Sequence, residues 1–156
     1  MLLNYMDTEK ETFKKNFLEL MENQDNQFHP FVFIHGEPKV GTNVYIGLFS
    51  EVNAKGATVT IGDNCDIASF VSINVADSHK MCIGLSDSNE RADITIEENV
   101  FIGSHSFIKK GAHIGHHSVV GAGTIVEGVT IPPYSLVIGN PMKVKEGYYR
   151  KALHIE

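Results

Sequence analysis

The chain has no surplus of positive charge, no long apolar run and only two cysteines among 156 residues. Each shortage removes a class of function. Lys+Arg number 13 against 19 Asp+Glu, a formal net charge of −6, which excludes a general nucleic-acid or anionic-membrane surface because neutralising phosphates needs clustered cations. No apolar stretch approaches the roughly 20 residues of a bilayer span. The start, MLLNYMDTEK, meets Asp7 before a signal-peptide core could form, so the expected compartment is the cytoplasm. Cys65 and Cys82 are too few and too poorly spaced for a zinc cluster or a disulfide framework and are expected as free thiols. What remains, 42% apolar and 21% charged residues, suits one compact domain.

Helical spacing is confined to the N-terminus. Thr8 and Glu11 form a T-x-x-E capping box, and Phe13, Phe17, Leu20 and Met21 follow on one face, predicting a helix that ends by Asn23. A turn is expected over Asn23 to Gln27, then an extended entry at His29-Pro30. From about Phe31 a different period takes over. Every sixth residue from Ile96 is aliphatic, through Ile102, Ile108, Ile114 and Val120 to Val126, and the same count works for Val40, Ile46, Val52 and for Ile61, Ile67, Ile73. The Lys55-Gly56-Ala57 region absorbs the shift between those runs.

The residue after the aliphatic one is Gly at 41, 47, 62, 103, 115 and 121 and Asn at 53 and 74, which predicts positive φ there. Four places after it stand small or β-branched residues, among them Val44, Ser50, Cys65, Val71, Ser106, Ala112, Ser118 and Thr124. A six-residue period fits neither a helix nor a sandwich strand and predicts an all-β fold, a parallel β-helix of hexapeptide repeats with Ile and Val stacked inside. Residues 31–145 form that domain in about five coils, roughly 25 Å tall at the usual strand spacing. Residues 1–30 are the helix and its connector, residues 146–156 a tail. Both ends are expected to cover surface that the coils leave open, and self-association is expected.

Six on from Ile73 lies His79, where the frame demands an aliphatic residue, and the repeat resumes only near Ile94. The interruption, a loop over 79–93, is where binding or catalytic groups concentrate in a solenoid. His79 at its root can act as general base if a carboxylate fixes its tautomer, and Asp77 and Glu90 are the candidates.

The run ITIEENVFIGSHSFIKKGAHIGHHSVVGAGTIV, followed by IPPYSLVIGNPMKVK, resembles the left-handed β-helix hexapeptide-repeat acyltransferases, with the galactoside and maltose O-acetyltransferases most alike, over roughly residues 40–145. The resemblance implies a homotrimer, acetyl-CoA as donor, active sites between neighbouring subunits and a loop histidine matched by His79. It further implies Ser104 near the thioester oxygen, backbone contacts to pantetheine from Gly121 and Ala122, and Phe101 as an aromatic wall where relatives have Trp. Lys143 and Lys145 stand in the positions that reach the CoA phosphates, with Arg150 and Lys151 beside them in sequence. Ser50 falls where sugar acetyltransferases hold the acceptor with asparagine, and the step from Val126 to Pro132 looks one residue longer than in relatives. The implied reaction moves an acetyl group to a hydroxyl or amine of a sugar or nucleotide-linked sugar.

Two other uses of such a prism were weighed. A zinc hydratase of the γ-carbonic anhydrase type needs a histidine and an H-x-x-x-x-H pair; His105, His113, His116 and His117 lack that spacing, and the last three are expected as outward turn residues. A non-catalytic assembly module needs no base at a loop root.

Overall fold

The computed structural model describes residues 2–22, 28 and 31–154; the expected turn over Asn23 to Gln27 and the His29-Pro30 entry lie outside them. Helix α1 spans Leu2–Glu22. It ends where the periodicity stops but begins six residues before Thr8, so the capping-box reading fails: Thr8 is interior, and its carbonyl accepts the Thr12 hydroxyl at 2.8 Å. The side chains of a T-x-x-E pair suit a helix interior as well as an end, and nothing in the preceding residues breaks the helix.

Five coils follow. The first holds β1 (Phe33–His35), β2 (Lys39–Val40) and β3 (Tyr45–Ile46), the second β4 (Glu51–Asn53), β5 (Val59–Ile61) and β6 (Asp66–Ile67). The third opens with β7 (Ser72–Asn74), leaves the prism through β8 (Ala76–Asp77), α2 (His79–Cys82) and β9 (Glu90–Arg91), and closes with β10 (Ile94–Ile96) and β11 (Phe101–Ile102). Then come β12 (Phe107–Lys109), β13 (His113–Ile114) and β14 (Val119–Val120), and finally β15 (Ile125–Val126), β16 (Thr130–Ile131) and β17 (Leu136–Ile138). Last is β18 (Lys143–Lys145), which reverses direction and pairs antiparallel with β17.

Equivalent strands stack in parallel into three walls. Sheet A is β1-β4-β7-β12-β15, sheet B is β2-β5-β10-β13-β16, and sheet C is β3-β6-β11-β14-β17 with β18 on its edge. The fold is the expected left-handed β-helix. The aliphatic positions are in register, Val52 with Ile73, Ile61 with Ile96, Ile102 with Val120, and apart from the half-buried Ile34 and Val40 of the first coil the column is fully buried. Val126 is followed by Ile131, not Pro132, opposite Ile114. The last coil is therefore one residue short of the hexad count.

The glycines work differently from expectation. Positive φ belongs two residues further on, at Asn43, Phe49, Asn64, Phe70, Asn99, His105, His117 and Tyr134. The glycines after the aliphatic residues instead permit close approach: a Cβ on Gly62 would lie 2.5 Å from the Glu98 amide nitrogen, and one on Gly103 2.5 Å from that of Ala122. At the left-handed corners the backbone cost of about 1–2 kcal/mol per residue is offset by register. The Phe70 amide donates to the Leu48 carbonyl and that of Tyr134 to His116, while corner side chains stack into ladders. Phe31, Phe49, Phe70 and His105 follow one another at ring separations of 5.5, 5.3 and 4.8 Å, and Phe17 of α1 meets the foot of that ladder at Phe31.

Buried hydroxyls join the coils. Ser50 donates to the Ala68 carbonyl and accepts from the Val71 amide; Ser106 does the same with Gly121 and Thr124. No helix of the described residues is long and apolar enough to cross a membrane.

Ile108 has no exposed surface, so Ile108→Ala should cost about 2–5 kcal/mol of unfolding free energy. Gly62→Ala, which must push a coil away, should cost about 1–3 kcal/mol. Urea unfolding followed by circular dichroism reads both as lower midpoints.

Candidate active site

Both insertions that lengthen a coil beyond eighteen residues precede sheet B. The second coil carries three extra residues around Lys55-Gly56-Ala57, as the pairing of Val52 with Ile73 shows, and the third carries the hairpin. The first seats the second: Arg91 Nε of β9 donates to the Lys55 carbonyl at 3.0 Å, and Gly56 leaves room for that side chain, since a Cβ there would stand 2.6 Å from Nε. The hairpin thus projects from the A/B edge, and His79 opens the single turn α2 directly after β8.

Asp77 lies two residues before His79. Its Oδ1 accepts the His79 backbone N–H at 3.1 Å and faces ring Nδ1 at 2.6 Å. Those bonds hold the Asp77 carboxyl below its ordinary value, so at neutral pH it is an acceptor only. Nδ1 must then carry the proton, which leaves Nε2 as the lone-pair nitrogen of a half-exposed ring. This is the arrangement a general base requires.

Glu90 stands opposite Asp77 across the β8–β9 ribbon but pairs elsewhere. Its two oxygens take Lys80 Nζ at 2.5 Å and Lys110 Nζ at 2.9 Å, and the two ammonium groups pull its carboxyl down to about 2. Of the two candidate orienting carboxylates, only Asp77 contacts the imidazole. Beside the pair a groove of about 250 Å³ opens on sheet A, lined by Asn74, Ala76, Asp77, Ser78, Phe107, Lys109 and Lys110. Ser50 is not there. It is fully buried and spent on bonds between coils, and Asn74 is the amide that reaches the groove. Asn74 follows the core residue Ile73, so the hexad frame that placed Gly at such positions could have found it.

The residues implied for a donor gather at the C/A edge and on sheet C. Ser104 accepts the Gly123 amide at 2.8 Å. His105 stacks on Phe70, and an added Cβ on Gly123 would meet nothing within 4 Å. Ala122 is exposed. Gly121 spends its N–H on the Val137 carbonyl and its own carbonyl on the Ser106 and Thr124 hydroxyls. Phe101 is exposed on the outer row of sheet C, between Asp66 and Val119, and lines a second groove of about 240 Å³ with Asn99, His117, Ser118, Val119, Tyr149, Ala152 and Leu153. Lys143 and Lys145 project from β18, while Arg150 turns over the Tyr134 ring.

Within one chain these two groups lie on opposite edges of sheet A. The three residues of β7 and of β12 separate them, roughly 10 Å of strand. Elsewhere, His113 pairs with Glu97 at 2.8 Å, and His116 and His117 face each other through Nδ1 at 3.0 Å; His116 and His117 are turn residues as expected, whereas His113 lies in β13, on the outer row of sheet B. Among the described residues no set of three His, Cys, Asp or Glu side chains is placed to hold a metal ion. Cys65 is buried and Cys82 exposed, both free.

A family model described as the hexapeptide repeat of succinyl-transferase matches residues 39–74 and 93–127, the stretches on either side of the hairpin. The galactoside O-acetyltransferase of Escherichia coli K12 is 40% identical over 111 residues, covering 67% of this chain and 54% of that protein, so the chain spans about half the length of that relative. Among solved structures, a galactoside acetyltransferase in complex with coenzyme A is 33% identical, with a TM-score of 0.56 over 78% of this chain and 66% of that one. A variant of the Bacillus cereus N-acyltransferase AntD, solved with dTDP-4-amino-4,6-dideoxyglucose and coenzyme A, is 20% identical with a TM-score of 0.69 over 80% and 70%. That last likeness is one of fold.

Because folding lowers the Asp77 carboxyl, its bonds to His79 hold at neutral pH and are lost as the pH falls through the folded value. The carboxyl carbon of Asp77, followed by NMR, should titrate below the ordinary 3.8 and return toward it in His79→Ala.

Proposed function

The chain belongs to the hexapeptide-repeat acyltransferase family, and from that premise we propose that it transfers an acetyl group from acetyl-CoA to a hydroxyl or amine of a sugar or nucleotide-linked sugar. The observation that carries the reading is the Asp77–His79 pair at the root of the one long interruption of the repeat. Asp77 fixes the Nδ1–H tautomer, and Nε2 removes the acceptor proton as its oxygen or nitrogen attacks the thioester carbonyl. Donors around Ser104 hold the negative oxygen that develops. The tetrahedral intermediate collapses, the imidazolium returns its proton to the departing CoA thiolate, and the acetyl group stays on the acceptor. No protein nucleophile takes part.

Base and donor residues sit on opposite edges of one sheet, so a working site needs two copies of the chain. A closed trimer supplies it by setting the A/B edge of each protomer beside the C/A edge of the next. The outer rows of the two faces differ in character. On sheet B the row is Lys39, Thr60, Thr95, His113 and Thr130, polar throughout. On sheet C it is Tyr45, Asp66, Phe101, Val119 and Leu136, largely apolar. Lys143 and Lys145 carry the CoA phosphates, and Phe107 with Asn74 receives the acceptor.

His79→Ala should lower turnover by about two to four orders of magnitude while CoA still raises the melting temperature; near-normal turnover would overturn the base. Lys143→Ala with Lys145→Ala should raise the donor KM and flatten its salt dependence. A bare scaffold would show no CoA-dependent thermal shift. An acceptor panel of galactosides, maltose and nucleotide-linked amino sugars, scored by released CoA thiol, selects the substrate.

A further inference from the structure

The turn that carries His79 has little to hold it. Helix α2 is one turn of four residues with no buried side chain and no side-chain cap, and the exposed Met81, Ile83 and Leu85 leave its apolar side uncovered. The ribbon beneath it pairs two residues with two, too short to be stable alone. Its ties to the prism include the Ala76 amide on Asn74 Oδ1 at 2.9 Å, the Arg91 contact with Lys55, the Ala92 amide on the Val75 carbonyl at 3.1 Å and the bonds of Glu90.

We propose that Glu90 is a positioning residue for His79, clamping Lys80 of the same turn to Lys110 of the neighbouring coil through its two carboxylate oxygens, and so fixing both where the imidazole stands and how readily it takes a proton. The inference rests on the reading of His79 as base. Lys80 is the next residue after His79, and Lys110 follows β12, the wall of the prism that lines the groove. Each oxygen of Glu90 engages a different ammonium group, so one side chain joins the His79 turn, β9 and the residue after β12. A lone exposed ion pair contributes little; a carboxylate shared by two lysines, with its own proton lost down to about 2, stays engaged over the whole working range of pH.

The clamp is electrostatic as well as mechanical. The charged groups around the imidazole are Asp77 on β8, Lys80 on α2, Glu90 and Arg91 on β9, and Lys109 and Lys110 at the end of β12. Arg91 is turned onto Lys55, and Lys109 is taken by Glu127 at 2.6 Å. Removing the Glu90 charge leaves Lys80 and Lys110 without their shared counter-ion. Both then repel an imidazolium, and Lys110, which already acts on Asp77, competes for the carboxylate that orients the ring. Both effects have the same sign: they disfavour the protonated imidazole.

The test uses the full-length enzyme with acetyl-CoA and a β-galactoside as probe acceptor, beside an NMR titration of the His79 ring that needs no acceptor. Glu90→Gln should lower kcat about 10- to 100-fold, as expected for a misplaced base, leave the donor KM unchanged, and move the His79 titration to lower pH by about half a unit to one unit. Glu90→Asp, which keeps the charge on a shorter arm, should restore the titration while recovering kcat only in part. Lys110→Met, which breaks the clamp but removes a cation, should lower kcat without the downward shift. Normal kcat and an unmoved titration in Glu90→Gln overturn the proposal, and so does a fall in kcat with no shift, which marks a merely structural residue. If His79→Ala itself retains turnover, the base assignment fails and the clamp with it; if His79→Ala is inactive while Glu90→Gln behaves as wild type, the clamp alone fails.

Discussion

Where the residue after an inward aliphatic side chain is glycine, the coils of this protein lie closer together than a Cβ would allow. Gly62 against Glu98 and Gly103 against Ala122 show how narrow that clearance is. Once it is met, every core Ile or Val falls on its counterpart, and outward side chains fall into ladders as a by-product. The phenylalanine ladder, the asparagine pairs 43–64 and 53–74 and the buried serine bridges all follow from that one registration. The prism is therefore a rigid ruler, in which the position of any outward residue is set by its count along the chain.

A ruler of this kind has chemistry only where the count is broken. The two insertions fall at the same edge, and they serve each other, because the three extra residues around Gly56 make the seat on which Arg91 anchors the hairpin. The hairpin in turn places Asp77 and His79 beside a wall of regular coils, where Asn74 and Phe107 are held by sheet pairing and not by loop packing. Precision is borrowed from the repeat, while the proposed base sits on a single turn with no buried side chain. That contrast is why the proposed clamp at Glu90 would matter there and would matter little on the prism itself.

The repeat was legible because a six-residue period leaves its mark on every coil: the core column, the break at His79 and the outward His113, His116 and His117 followed from counting. Contacts between coils were not legible to the same degree. Eighteen residues separate neighbours in most of the prism, but the insertions change that number, so nothing in the sequence marks Lys110 as the neighbour of Glu90 or Arg91 as the neighbour of Lys55. The reason for the glycines was misread because Gly serves both positive φ and close approach, and composition cannot tell these apart. The corner residues that do adopt positive φ include Phe and Tyr, which propensity alone disfavours. Ser50 was misplaced because a small polar residue at the inward corner looks like an exposed one until burial is known. The helix start was missed since a capping motif has the same letters inside a helix as at its end.

The reversal at β18 has a consequence for how molecules of this shape can aggregate. A stack of parallel strands is an open template, and a second prism could in principle continue it head to tail into a fibre. By folding back across β17 and presenting a short Lys-Val-Lys edge, the chain replaces that template with one of opposite polarity and like charge. Growth along the axis is hindered on that wall, while sheets A and B end on β15 and β16.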